Sequence, residues 1–191
     1  MKRVFLFFLL SASGLFAVEH PITFVPGTDE PESFVTPGKP DGVKCVANEE
    51  GAYVFRINAR GASRKIISSR RLKAKEGDIL TLTLTLKVRK KGTGAAGFYL
   101  YHEKNGNFRP LPALYDTVEL LPEKKVYHFR KVIPRRKKVR SSERPNTAVI
   151  FMDFLKGIDL DVEKISYDVK SVPVKKKNNP SGKQPYSKKK K

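Results

Sequence analysis

Tyr99 and Tyr101 stand two residues apart and alternate with Phe98 and Leu100, and Tyr115 follows a short stretch punctuated by Pro110 and Pro112. On an extended chain that spacing sends one pair to the core and the other outward. Outward tyrosines suit sugars, whose apolar ring faces stack on aromatics while polar side chains take the hydroxyls. Tyrosine is also a preferred strand residue, so ordinary sheet packing stands as the other reading. A second chemistry is electrostatic. Arg135, Arg136, Lys137, Lys138 and Arg140 form the densest basic cluster, flanked by Arg130, Lys131 and Arg144. Arg64, Lys65, Arg70 and Arg71 make a second cluster, and Lys87, Arg89, Lys90 and Lys91 a third. Such surfaces attract acidic polysaccharide, lipid phosphate or nucleic acid, or serve solubility alone.

The remaining candidates are weaker. Asp159 and Asp161 alternate with Ile158, Leu160 and Val162, so both carboxylates leave one face, where pairing with Lys156 and Lys164 is the expected arrangement. His20, His102 and His128 are too scattered for a metal cluster. Asp153, Asp159, Asp161 and Glu163 follow one another along the chain, whereas glycosidase chemistry needs two carboxylates facing across a cleft. No catalytic constellation is predicted, and no enzyme.

The elements that position these residues read as strands. Leu80, Leu82, Leu84, Leu86 and Val88 alternate with Thr81, Thr83, Thr85 and Lys87. That is period two, a strand with one buried and one solvated face. Glu76-Gly77-Asp78 before it has the composition of a tight turn. Further strands are expected at Gly42–Ala47, Ala52–Ile57, Lys65–Leu72, Gly97–Glu103, Thr117–Leu121, Val126–Ile133, Thr147–Phe154 and Val162–Val169. Asn105-Gly106-Asn107 and Lys156-Gly157 mark turns, and Pro110 and Pro112 a loop. Many short strands with regular turns predict an all-β antiparallel sandwich or barrel.

Around this domain, expected over 41–172, lie three flanking segments. Lys2 and Arg3, the apolar run Val4–Leu10 and the small residues to Ala17 form a secretory pattern, with residues 1–17 as signal peptide. Val4–Val18 is shorter than the roughly 20 apolar residues of a membrane span, and no later segment is apolar enough to be one. Residues 18–40 read as a leading segment with an edge strand. Residues 173–191 read as a disordered lysine tail, since they hold too little apolar surface to order themselves. The chain carries a net charge of +20, and eight lysines with no acid lie within Val174–Lys191. An exported chain whose lone cysteine is Cys45 holds its core without an internal disulfide. The alternation of Val43, Cys45 and Ala47 predicts Cys45 as a buried small hydrophobe.

The order of elements from Ala52 to Val169 resembles the jelly-roll carbohydrate-binding modules of the galactose-binding-like superfamily. Four pieces carry the likeness: Ile67–Leu72, the turn Lys75–Asp78 with the strand Ile79–Val88, Val126–Pro134, and the acidic strand Gly157–Glu163. The resemblance implies a jelly-roll sandwich, a polysaccharide partner and, at Asp159 and Asp161, hard oxygen ligands of the kind a structural calcium ion takes. The chain departs from the pattern in having no tryptophan, and Val126-Tyr127-His128-Phe129 stands where one is expected. Two functions follow. One is an exported, non-catalytic module for polysaccharide or another anionic envelope component. The other is an envelope interaction protein that holds another protein or anionic lipid on its basic surface. Export makes nucleic acid the poorer partner.

Overall fold

The computed structural model describes residues 20–21, 34–36 and 42–172, so the expected signal peptide and lysine tail lie outside the described residues. Among the described residues, twelve strands run in chain order. They are β1 (His20–Pro21), β2 (Phe34–Val35), β3 (Val43–Ala47), β4 (Tyr53–Asn58), β5 (Arg64–Ser68) and β6 (Leu72–Lys73), then β7 (Ile79–Lys90), β8 (Gly92–Lys104), β9 (Asn107–Leu120), β10 (Lys124–Val132), β11 (Thr147–Phe154) and β12 (Asp159–Lys170). One sheet has the order β10-β7-β12-β4-β3 with β1 also on β12, and the other has β2-β5-β11-β8-β9 with β6 also on β11. Every pairing between them is antiparallel. This is an antiparallel β-sandwich of the jelly-roll kind.

The core follows from the alternation. Leu80, Leu82, Leu84, Leu86 and Val88 are all buried, while Thr81, Thr83 and Thr85 are half-buried on the outer face. Phe98, Leu100, Ile150, Met152 and Phe154 reach them from the second sheet. The hairpin between β8 and β9 turns on Asn105 (φ 52°) and Gly106 (φ 76°), left-handed at both positions as a tight primed turn requires.

Three expectations change. Pro110 and Pro112 do not make a loop; both lie inside β9, which pairs with β8 on one side and ends the sheet. An edge strand tolerates proline because its outer N–H groups have no ladder partner. The register shift between Phe98 and Leu100, opposite Leu114 and Leu111, takes up Pro112 as a bulge. The single strand expected over Lys65–Leu72 is two, because the Ser68 hydroxyl accepts the Arg70 N–H at 3.0 Å and folds the chain locally. Cys45 is half-buried on edge strand β3, and burial pushes its thiol pKa up.

Candidate binding surfaces

β8 and β11 are neighbours, and their outward positions carry most of the aromatic chemistry. Tyr99 and Tyr101 share the outer face of the sheet, opposite the buried Phe98 and Leu100. Gly97 pairs with Phe151 on one side and Tyr115 on the other. With no side chain at Gly97, the two flanking rings meet across it: Tyr115 and Phe151 are edge-to-face at 5.9 Å. A Cβ on Gly97 would lie 2.1 Å from the Leu114 carbonyl oxygen, so only glycine fits there. Tyr99 stacks on Phe151 with centroids 4.1 Å apart and an interplanar angle of 19°. Lys65 from β5 stands beside Tyr99, its Nζ 5.9 Å from the ring centroid and 3.4 Å from Asp153 Oδ2. Hydrogen bonding to Tyr99 is the main cause that holds the Lys65 pKa above its ordinary value.

The three predicted tyrosines are therefore on one sheet but differ in role. Tyr99 has one ring face on Phe151 and Lys65 at its side, while Tyr101 packs edge-on against Phe108 at 6.1 Å. Arg71 covers Phe108, with Cζ 4.0 Å from its centroid. Tyr115 is the ring that faces solvent, at 52% exposure. Phe151, Phe108 and Gly97 complete the surface and were not singled out from sequence, and Lys65 joins it from the second predicted basic cluster. The alternation of Thr147–Phe154 contains the signal for Phe151, since Ile150 and Met152 must face inward.

The predicted basic residues Arg135, Arg136, Lys137, Lys138 and Arg140 lie in the connection from β10 to β11, all exposed. Arg135 rests on the turn before β7, where a Cβ on Gly77 would come within 2.5 Å of its Nε. Glu76 ties the loop down by accepting the Arg136 N–H at 3.2 Å and Arg144 Nη1 at 3.0 Å. The other two basic clusters are elsewhere. Lys65 flanks the aromatic face, and Lys87 and Arg89 lie on the opposite sheet.

Asp159 and Asp161 are bound by arginines and not by the expected Lys156 and Lys164. Arg56 gives Asp161 a two-pronged contact, Nε to Oδ1 at 3.0 Å and Nη2 to Oδ2 at 3.1 Å. Arg89 bridges Asp161 Oδ2 at 2.7 Å and also pairs with Asp159. The calcium ion implied by the resemblance does not fit these residues. Both oxygens of the buried Asp161 already accept from guanidinium groups, and a dication would meet two positive charges. Asp153 lies on the other sheet, and Glu163 pairs with Lys124 at 2.7 Å, so these four carboxylates do not face one another across a cleft.

No protein-family model matches the chain, and no curated protein matches it. Solved structures do resemble it. The Clostridium thermocellum endo-1,4-β-D-xylanase 10B, as CBM22-1 and GH10 modules complexed with xylohexaose, superposes with a TM-score of 0.50 at 10% identity, over 80% of this chain and 29% of that one. The enzymatically active domain of bacteriophage CBA120 tailspike protein 4 has a TM-score of 0.47 at 14% identity, over 72% and 19%. The N-terminal cellulose-binding domain of Cellulomonas fimi β-1,4-glucanase C has 0.43 at 16%, over 81% and 99%. The chain thus spans less than a third of the xylanase and tailspike chains.

Proposed function

We propose that this chain is an exported, non-catalytic module that binds polysaccharide on the outer face of the β8–β11 sheet. The observation that carries the reading is Tyr115, a large ring left 52% exposed beside the Tyr99–Phe151 stack on an ordered strand. A sugar ring stacks on Tyr115, and its hydroxyls meet the Lys65–Asp153 pair at the rim. Export is supported by the basic, apolar and small residues of positions 1–17. The non-catalytic reading is supported by Asp153, Asp159, Asp161 and Glu163, which lie on opposite outer faces and are each engaged by a cation.

The test is a glycan array on the chain, followed by calorimetry with each sugar retained at physiological salt. Tyr115→Ala should weaken binding at least about tenfold, the size of losing one ring contact. Tyr53→Ala, which removes a ring of 45% exposure on the other sheet, should leave it unchanged. Equal loss in both, or none in either, rejects the platform. The second reading, an envelope interaction protein, draws on the exposed Lys137, Lys138 and Arg140. It predicts binding of anions at large that ignores Tyr115 and vanishes with salt.

A further inference from the structure

A cavity of about 540 Å³ opens at one end of the sandwich. It lies where β6, the turn before β7, the tip of the β8–β9 hairpin and the start of β11 converge. Its volume is within the roughly 300–1,000 Å³ of small-molecule sites. Its wall carries opposed chemistries. Lys73 and Lys75 line it with exposed side chains that form no ion pair among the described residues. Asp78 lines it too and is only 2% exposed. One carboxylate oxygen of Asp78 accepts the Lys75 N–H at 3.0 Å, and Oδ1 is buried with no donor among the described residues. Glu103 and Asn105 complete the polar wall; Glu103 Oε1 lies 3.8 Å from Arg71 Nη1, and its Oε2 accepts the Thr147 hydroxyl at 3.2 Å, leaving lone pairs on both oxygens for a ligand donor. Through Lys75 the cavity adjoins a second one of about 450 Å³, walled by Arg135, Arg136 and Arg144.

This combination discriminates among anions. Phosphate or sulfate alone would satisfy the ammonium groups but would leave the unpaired Asp78 oxygen facing like charge. A neutral sugar would donate hydroxyls to Asp78 and Glu103 but leave the two lysines without a counter-charge. A ligand carrying both carboxylates and hydroxyls meets both needs. We propose that this end cavity binds an acidic sugar, a uronate residue of a polysaccharide. Its carboxylate sits on Lys73 and Lys75 and its hydroxyls donate to Asp78 and Glu103. Further uronates of the same chain extend over Arg135 and Arg136. The site is separate from the Tyr115 platform and does not depend on it.

The experiment titrates the full chain with a galacturonate trimer, a neutral galactose trimer and inorganic polyphosphate at about 0.15 M salt. It is followed by calorimetry and by the side-chain amide signals of Asn105 and Asn146, which lie at the cavity. The galacturonate trimer should bind and shift both amides, and the neutral trimer should not shift them. Lys73→Ala with Lys75→Ala should weaken galacturonate at least about tenfold, the scale of one charge-assisted contact. Asp78→Asn should weaken galacturonate and leave polyphosphate unchanged or tighter. Glu103→Gln replaces it if that variant does not fold. Tyr115→Ala should leave these amide shifts intact, so loss of the platform and loss of this site are told apart. Equal shifts from both trimers overturn the proposal. So does galacturonate binding that survives the lysine substitutions, or is not weakened by the carboxylate variant.

Discussion

Asp161 sits on the outer face of its sheet yet is almost wholly buried, because Arg56 and Arg89 close over it. Burial alone works to raise its pKa. The hydrogen bonds and charges of the two guanidinium groups outweigh that, and the net shift is below the ordinary 3.8. A depressed folded pKa means stability that is present above the unfolded value and lost as pH falls through the folded one. Thermal unfolding followed from pH 7 to pH 2 should therefore show the melting temperature falling below about pH 4. Asp161→Asn should be less stable at neutral pH by about 2 kcal/mol, melt lower, and show a flatter acid limb. An unchanged acid limb would mean other carboxylates dominate. Gly97→Ala makes a second test. Its Cβ would strike the Leu114 carbonyl and lie 2.6 Å from Tyr115 Cα. A loss of about 1–3 kcal/mol in urea unfolding is expected, together with weakened glycan binding as Tyr115 is displaced. Retained stability would show that β9 shifts freely. Much of this scale is illegible in sequence. The alternation around Phe98 put Tyr99 and Tyr101 on one face, but Arg56 and Asp161 are 105 residues apart and no local pattern joins them.

At the scale of elements, β7 has the clearest division of labour. Leu84→Ala removes a side chain that is 1% exposed in the centre of the core and should cost about 2–5 kcal/mol. Thr81→Ala, on the outer face, should cost less than about 1 kcal/mol. Chemical denaturation of the pair checks this, and similar losses would mean the strand buries both faces. Period two made this strand legible because burial on one face repeats every second residue. β9 was not legible over its first half, because proline excludes a central strand and the position of β9 at the sheet edge is a tertiary fact. Ser68 divided β5 from β6 by a side-chain bond that strand composition does not signal.

The whole chain carries +20, and the cations of the described residues are spread over both outer faces and one end of the sandwich. Which strands share a sheet decides that spread. β7 pairs with β10 and β12, and β11 with β8 and β5, joining segments far apart in the chain. Charge counted along a sequence therefore overstates any single patch. Electrostatic reach determines what the spread does. At about 0.01 M salt the screening length is about 30 Å, so separate clusters act together on one polyanion. At about 0.15 M it is about 8 Å, and each cluster acts nearly alone. Retention of the chain on sulfated, carboxylated and polyphosphate matrices should accordingly be similar at low salt and should collapse at physiological salt on polyphosphate. What survives should be only ligands whose sugar rings or hydroxyls engage Tyr115 or the end cavity. Replacing Lys137, Lys138 and Arg140 together with serine should lower the low-salt retention on all three matrices and leave the surviving fraction unchanged. Polyphosphate retained at physiological salt, and lost in that triple variant, would instead make the β10–β11 loop the principal docking surface, and an anionic envelope component the principal partner.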